Sequence, residues 1–226
     1  MGSISKLWRY PVKSMLGEAC DRLEVDARGA RGDRLFAVLD ADGRLGSGKS
    51  SGRLRYIDGM LGFRATADEI VFPDGARMAI ADPDIHRALS QAFGLAVTLA
   101  REVSPPHFDS SPLHIVTTAS LRWLQAALPG SRIDERRFRP NIVIDVPGDR
   151  PVEQHWLGKT LAVGGTVRLR VSAPTERCQM TTFAQSDLPA DPQVLRRIGR
   201  DADLRFGVYA EVVVPGTVAC GDRVEN

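Results

Sequence analysis

The sequence has 226 residues, of which 43% are hydrophobic and 26% are charged, and its formal net charge is +2. This composition is ordinary for a globular protein, and the charges are spread evenly along the sequence, which argues against the broad basic surface of a nucleic-acid-binding protein. No stretch has the roughly 18–20 apolar residues of a membrane span, and residues 1–14 lack the apolar core of a secretory signal, so we expect neither a membrane partner nor secretion.

The first hundred residues have the pattern of short strands separated by turns. The segments ISKLWRYP and RLFAVLDADG are rich in residues typical of strands, and the second ends in an Asp-Gly turn. GFRATADEIVFPDGARMAIA predicts a hairpin that turns at Asp74-Gly75. We therefore expect this part of the chain to form a small β-rich domain.

The segment GRLGSGKSSGRL between these strands has the spacing of a phosphate-binding loop. Gly43 is followed by four residues, then by Gly48, Lys49 and Ser50. A loop of this kind opens a helix, whereas the residues after Ser50 show no helical pattern of apolar side chains. The glycine- and serine-rich composition instead predicts a mobile surface loop.

A helix is predicted over DPDIHRALSQAFG, where Asp82 can cap the first turn and Pro83 suits the first helical position. Gly94 suits the end of this helix. Apolar residues recur every four positions and give one buried stripe, at Ile85, Leu89 and Phe93. The irregular, proline-rich segment SPPHFDSSP follows and indicates a junction, so we predict two domains, residues 1–100 and 101–226.

The second half adds two short helices and several strands. TTASLRWLQAALPG predicts a helix capped by Thr118, and DPQVLRRIG repeats the Asp-Pro opening of a helix. NIVIDV is typical of a short buried strand, LGKTLAVGGTVRLRVSAP of a hairpin, and GVYAEVVVPG and VACGDRVE of closing strands. The pattern predicts an α+β, mainly β fold, with a β-barrel-like domain carrying short helices and a smaller N-terminal β-rich domain.

DERRFRPN, which precedes NIVIDV, is a candidate anion site. A run of arginines is often only a solvated face. Here, however, Phe138 and the strand after it are of the buried type, so Arg139 and Asn141 lie at the mouth of a strand, where side-chain direction is fixed. A guanidinium held there can bind a phosphate or a carboxylate through two hydrogen bonds.

Cys178, in the segment TERCQMTT, is a second candidate. Three interpretations stay open for it: a small buried hydrophobe, a nucleophile, or a ligand for a soft metal. Arg177 favours the thiolate, and Thr181 and Thr182 can donate hydrogen bonds to sulfur or to an anion. The three cysteines of the chain include no CxxC pair, which argues against a disulfide framework or a zinc site and favours free thiols in the cytoplasm.

Six segments carry a resemblance to one family when they are taken in order: YPVKSMLGE, GDRLFAV, TTASL, RFRPNIVI, ERCQMTT and FGVYAEVVVPGTVACGD. Together they resemble the MOSC family, and in particular its two-part members in which an N-terminal β-barrel domain precedes the MOSC domain. This group includes the mitochondrial amidoxime-reducing component and bacterial relatives. The resemblance covers nearly the whole chain and implies that both domains share one site.

The resemblance implies a molybdenum site. In this family the cysteine of the RC…TT segment ligates molybdenum, so Cys178 would be both the metal ligand and the catalytic residue. The matching segments further imply that a molybdenum-pyranopterin cofactor is held by Lys13, Ser14, Arg34, Thr118, Ser120, Arg139, Asn141, Arg177 and Tyr209.

The implied reaction is reduction of an N-hydroxylated or related oxygenated small molecule, while molybdenum cycles between its +4 and +6 states. The chain has no cysteine cluster for an iron–sulfur centre, so a separate electron-donor protein is expected. His107 and Asp109 are candidate proton donors. Two alternatives stay open: a non-enzymatic carrier of molybdenum cofactor or of sulfur, and a metal-free ligand-binding barrel.

Overall fold

The computed structural model describes residues 2–226. Within them lie eighteen strands, three α-helices and four short 3-10 helices. The strands are β1 (Gly2–Arg9), β2 (Glu18–Cys20), β3 (Arg22–Asp26), β4 (Gly29–Ala30), β5 (Phe36–Asp40), β6 (Leu45–Ser47), β7 (Leu54–Tyr56), β8 (Arg64–Ala65), β9 (Glu69–Val71), β10 (Arg77–Ala79), β11 (Val97–Arg101), β12 (Leu113–Thr117), β13 (Ile142–Asp145), β14 (Thr160–Val163), β15 (Val167–Glu176), β16 (Arg205–Val214), β17 (Gly216–Ala219) and β18 (Arg223–Glu225). The α-helices are α1 (Ile85–Phe93), α2 (Thr118–Ala127) and α3 (Pro192–Ala202), and the 3-10 helices are Met60–Gly62, Glu135–Arg137, Glu153–Trp156 and Gln179–Thr182.

Seven strands close into a barrel. Their order is β13-β12-β16-β15-β14-β18-β1, and β1 pairs with β13 to complete the ring, while β2 pairs with β1 in addition. Neighbours in the ring are antiparallel except β12 and β13, which are parallel. Alternate side chains point inward and form a buried core that includes Leu7, Ile115, Leu169 and Val208. The mainly β fold with a barrel that the sequence predicts is confirmed.

A second core lies against the sheet that contains β5 and β11. Here β11-β5-β6-β7 form a four-stranded sheet, β8, β9 and β10 form a three-stranded sheet, and α1 packs against β11. Ile85 and Leu89 of α1 are buried and Phe93 is partly buried against the same core, so the predicted apolar stripe is confirmed.

The strand pairing links the two parts of the chain closely. β1 lies at the start of the sequence but is a barrel strand, and β3 pairs with β17 near the other end. β11 completes the N-terminal sheet and ends at Arg101, next to the predicted domain boundary. The boundary between residues 100 and 101 stays a prediction.

The helices begin close to their predicted positions. α3 begins as predicted, with Asp191 accepting the cap hydrogen bond. α1 begins at Ile85 and not at Pro83, because the Asp82 side chain accepts a hydrogen bond from the Asp84 backbone N at 2.9 Å and forms a separate turn before the helix. Within residues 2–226 none of the helices combines the length and apolarity that a membrane crossing demands.

The segment predicted to be a mobile surface loop is partly a buried strand. Its residues Leu45–Ser47 form β6 and pair in parallel with β7. A Cβ atom on Gly48 would lie 2.0 Å from Met180 Sδ and 2.7 Å from a ring carbon of Phe183, so any larger residue there would displace these two side chains. The Gly48 carbonyl accepts a hydrogen bond from Gln179 Nε2 at 2.6 Å. This glycine therefore packs the segment against the cysteine motif, and no α-helix opens here in the part of the chain described.

Candidate active site

One pocket collects eight of the ten residues that the sequence assigns to the site. It forms where the turn after β1, the loop before β13, the end of β15 and the middle of β16 meet. Their convergence comes from the barrel, since these segments are far apart in the sequence. The eight are Lys13, Ser14, Arg34, Arg139, Asn141, Arg177, Cys178 and Tyr209.

Three of these residues have a left-handed backbone although none is glycine. The φ angle is 65° at Ser14, 49° at Arg34 and 54° at Arg139. Each such residue costs about 1–3 kcal/mol and persists only where its surroundings enforce it. Here the Arg34 backbone N donates to Tyr10 O at 2.7 Å, and the Arg139 N donates to Glu135 O at 3.2 Å. Strain concentrated around one pocket is typical of functional sites.

Arg34 and Arg139 place two guanidinium groups over the ring of Tyr10. Their central carbons lie 5.0 and 4.3 Å from the ring centroid. Arg34 is also paired with the Asp33 carboxylate, whereas Arg139 Nη1 donates to Met15 O at 2.5 Å and its buried Nη2 has no partner within residues 2–226. Burial, together with the positive charge of Arg34, lowers the pKa of Arg139 to about 10. Arg139 is therefore a cation at neutral pH with an unsatisfied donor.

We expect Tyr10→Leu to weaken anion binding and Tyr10→Phe to leave it unchanged. A cation–π contact contributes about 0.5–2 kcal/mol, so loss of the ring should weaken binding about 2- to 30-fold. The Tyr10 hydroxyl is buried and has no hydrogen-bond partner in the described chain. Titration calorimetry of the purified protein with pyrophosphate measures the effect. A phenylalanine variant as weak as the leucine variant would contradict this role of the ring.

Arg177 is held by the backbone and by a histidine that the sequence did not single out. Its Nη2 donates to Phe138 O at 2.7 Å, and its Nη1 lies 3.3 Å from His114 Nε2. Burial, and then the charge of Arg177, keeps the pKa of His114 well below its ordinary value, so the imidazole is neutral. Nε2 then accepts from Arg177, and Nδ1–H donates to Arg139 O at 3.4 Å. His114 thereby fixes Arg177 beside Cys178.

The buried Lys13 forms an ion pair at the pocket with Asp109, whose side chain is exposed. Lys13 is only 4% exposed, and its Nζ donates to Asp109 Oδ1 at 2.6 Å. Burial lowers the pKa of Lys13, although Asp109 partly offsets this effect. Burial also acts to raise the pKa of Asp109, but the charge and hydrogen bond of Lys13 outweigh it and hold that pKa below its usual range. Asp109 is therefore ionised at neutral pH, and Lys13 carries the proton of the pair.

His107, the other candidate proton donor, is buried and lies outside the pocket lining. Its backbone N donates to Glu102 Oε2 at 2.8 Å, and burial lowers the pKa of its imidazole. Of the two proton donors that the sequence suggests, Asp109 lines the pocket but is ionised, and His107 lies outside the pocket lining.

Cys178 is the second residue after β15 and directly precedes the 3-10 helix Gln179–Thr182. Its thiol is partly exposed, unlike that of a core residue, and its Sγ has no hydrogen-bond partner in residues 2–226. The hydroxyls of Thr181 and Thr182, which the sequence offers as donors to sulfur or to an anion, donate here to Cys178 O at 3.0 Å and to Gln179 O at 2.7 Å. No metal-binding group of three or more His, Cys, Asp or Glu occurs in the described residues. A metal at Cys178 would thus need ligands from a cofactor or from solvent.

Thr118 and Ser120 lie apart from this pocket, at the start of α2. Thr118 Oγ1 donates to Asp145 Oδ1 at 2.7 Å, and Ser120 Oγ donates to the buried Glu153 Oε1 at 2.5 Å. The helix cap is Thr117, not Thr118 as predicted, because Thr117 Oγ1 accepts from the Ser120 backbone N at 3.1 Å. Both hydroxyls therefore make hydrogen bonds within the fold, and neither lies where the resemblance implies a contact with the cofactor.

The buried Glu153 carboxyl should make the stability of the fold depend on pH. Burial raises its pKa, against hydrogen bonds from Ser120 and Thr117 that lower it. A carboxyl with a raised folded pKa contributes stability below its unfolded pKa, and this contribution is lost as pH rises through the folded pKa. We therefore expect the Tm of Glu153→Gln minus the Tm of the wild type to increase as pH rises from about 4 to about 8. Thermal melts across this range check it, and a constant difference would contradict it.

Asn141 lines the pocket but uses its amide mainly within the fold. Its Oδ1 accepts from the His114 backbone N at 3.2 Å, and its Nδ2 donates to Trp8 O at 3.3 Å. The side chain is fully buried and ties β1 to β12. Only one hydrogen of the Asn141 amide remains to bind a ligand, whereas the sequence suggests that the amide both donates to a ligand and accepts from it.

The glycine-rich segment supplies two pocket residues that the sequence analysis missed, Ser47 and Lys49. The Gly-Lys-Ser motif pointed to this segment, but its phosphate-loop interpretation is not favoured because no helical pattern follows it. With Lys49, cationic side chains outnumber carboxylates in the lining by five to two. The cations are Lys13, Arg34, Lys49, Arg139 and Arg177, and the carboxylates are Asp109 and Glu176.

Comparison with known proteins gives a family for this architecture. The MOSC domain matches residues 90–225, and the MOSC N-terminal beta barrel domain matches residues 1–91. The chain belongs to the MOSC family. This MOSC protein is 26% identical to mitochondrial amidoxime reducing component 2 of Bos taurus, over 99% of its own length and 83% of that protein. It is 25% identical to mitochondrial amidoxime-reducing component 1 of Homo sapiens, over 99% and 82% of the two chains.

Two further comparisons have narrower meaning. The MOSC protein is 32% identical to molybdenum cofactor sulfurase of Drosophila erecta over 49% of its length, which corresponds to 15% of that protein. The solved structure of the YUAD protein from Bacillus subtilis matches with a TM-score of 0.52 and 14% identity, over 99% of this chain and 93% of that one. The structural match supports the fold alone.

Proposed function

We propose that this protein binds a molybdenum cofactor through Cys178 and uses it to reduce small N-hydroxylated compounds. One observation carries the proposal: a partly exposed thiol, without a hydrogen-bond partner in residues 2–226, lies in a pocket lined by five cations and two carboxylates. Relatives named for amidoxime reduction align with 99% of the chain, which supports the choice of substrate class.

The residues of the pocket fit a group that joins an anionic phosphate to a metal with affinity for thiolate. The buried Arg139 Nη2 and Arg177 Nε have no partner in the part of the chain described, although buried donors are normally satisfied. A phosphate satisfies such donors through charge-assisted hydrogen bonds. The Cys178 thiolate is a suitable ligand for a soft or high-valent metal.

Three residues of the pocket then have a defined part. When bound, the molybdenum cofactor supplies two-electron redox chemistry and transfer of an oxygen atom. Cys178 binds the metal, while Arg139 binds the anionic part of the group. Arg177, which His114 holds in place, puts a positive charge beside Cys178.

Reduction of an N-hydroxyamidine to an amidine breaks the N–O bond, consumes two electrons and two protons, and releases water. We propose Lys13 Nζ as a proton source, because burial lowers the pKa of Lys13 and so eases release of its proton. The ionised Asp109 keeps Lys13 oriented through their 2.6 Å hydrogen bond. A separate electron-donor protein supplies the electrons in this proposal.

The test is reduction of benzamidoxime by protein produced with ample molybdate, with reduced methyl viologen as the electron donor. The expected product is benzamidine, measured by chromatography, and protein produced with tungstate in place of molybdate is the control. Protein that contains molybdenum and pterin but forms no benzamidine would contradict the reductase and favour the alternative, a carrier of the cofactor. Labile sulfur without molybdenum would instead favour a sulfur carrier.

A further inference from the structure

A second, apolar pocket lies next to the cationic one. It has a volume of about 290 Å³ and lies between the 3-10 helix Met60–Gly62 and the segment that follows Cys178. We propose that it binds the hydrocarbon tail of the substrate, so that the protein prefers N-hydroxylated compounds with an aliphatic or aromatic tail. This inference rests on the proposed function, which places the reaction at Cys178.

The lining of this pocket offers a ligand almost nothing except apolar contact. Its two polar side chains are exposed to solvent and pair with each other, since Tyr56 Oη donates to Asp58 Oδ1 at 3.0 Å. The Gly48 carbonyl, also in the lining, is taken by Gln179 Nε2. A polar ligand would lose its hydrogen bonds to water without replacing them, whereas a hydrocarbon gains by burial. The apolar side chains include Ile57, Met60, Leu61, Met180, Phe183 and Ala184.

The two pockets share a wall. Met180, two residues after Cys178, lines both of them. Ser47 and Lys49 line the cationic pocket, while Gly48 between them lines the apolar one. For a molecule with its N–O group at Cys178 to place its tail in the apolar pocket, the Met180 side chain between the two pockets has to shift, and an unbranched side chain of this kind adapts to different shapes.

The size of the pocket fits a substrate tail. An apolar cavity of about 150 Å³ is enough to bind benzene, so this pocket has room for a phenyl ring or a short alkyl chain. The pocket opens to solvent through exposed alanines, Ala184 and Ala190, which larger side chains can replace without disturbing a packed core.

The experiment measures binding of straight-chain amidoximes, from butanamidoxime to octanamidoxime, to cofactor-free protein by titration calorimetry or NMR. Each buried methylene is expected to lower the Kd about two- to fourfold in the wild type. The double variant Ala184→Phe/Ala190→Phe fills the pocket and should remove this dependence on chain length. Ala126→Phe, an exposed alanine on α2 outside this pocket, is the matched control and should keep the wild-type dependence.

A wild-type Kd that does not change with chain length, or no binding of octanamidoxime, would overturn the inference. So would a chain-length dependence that survives in the double variant. If the double variant changes the sedimentation coefficient instead, the pocket is covered by a second copy of the chain, which also contradicts a substrate tail.

The same experiment separates this inference from the proposed function. Chain-length dependence in cofactor-free protein, combined with no benzamidine from molybdenum-loaded protein, keeps the apolar site and rejects the reductase. Turnover without chain-length dependence keeps the reductase and rejects the apolar site.

Discussion

We expect Cys178→Ala to abolish reduction of benzamidoxime in a protein that folds like the wild type. Substitution of groups that only support metal ligands costs about 10- to 100-fold in metal affinity or activity, so loss of the ligand itself should cost at least about 100-fold. The thiol makes no hydrogen bond within residues 2–226 and is partly exposed, which is why the Tm should change little. Initial rates at equal protein concentration, with the metal content of each sample, measure the effect.

Cys220→Ala is the matched control for this substitution. Cys220 is an exposed cysteine at the turn before β18 and does not line the pocket. It should keep the wild-type rate and the wild-type metal content. Equal activity in the Cys178 and Cys220 variants would rule out the thiolate as the metal ligand.

Arg139→Gln is expected to weaken cofactor binding about 10- to 150-fold. A hydrogen bond that involves a charged group contributes about 1.5–3 kcal/mol, and this variant removes the cation whose Nη2 has no partner in the described residues. Burial lowers the pKa of Arg139 to about 10, so the folded protein holds this cation at a cost. We therefore expect the cofactor-free variant to be at least as thermally stable as the wild type, a pattern that loss of folding cannot produce.

Two measurements are needed for Arg139: the pterin retained after purification, and the Tm of the empty protein. Arg150→Gln is the control, because Arg150 is exposed and lines a different depression, near α2 and α3. It should retain wild-type pterin. Full retention of pterin by Arg139→Gln would remove this arginine from the anion site.

The local elements of this fold were predictable because their signals are local. Apolar periodicity identified α1, and the Asp-Pro openings and the glycines at turns located α3 and the β14–β15 hairpin. Closure of the barrel was not predictable, since β1 pairs with β13 through residues far apart in the chain. The error at α1 came from Asp82, whose side chain forms a turn before the helix begins.

The candidate site was predictable where a sequence motif indicated both the type of residue and the direction of its side chain. Arg139 and Cys178 were found in this way, and both lie in the pocket. Tyr10 and His114 were missed because an aromatic or histidine side chain has no sequence signal for stacking on an arginine or orienting one. The glycine-rich segment was misjudged because its glycine serves close packing against Met180, which only the folded chain reveals.

The most direct test of this account measures molybdenum content by mass spectrometry and pterin content by fluorescence. The wild-type protein is produced in a host that loads the molybdenum cofactor into a known molybdoenzyme. The account predicts molybdenum and pterin in near-equal amounts, each close to one per chain. Neither metal nor pterin in such protein would contradict the central claim that the pocket around Cys178 holds a molybdenum cofactor.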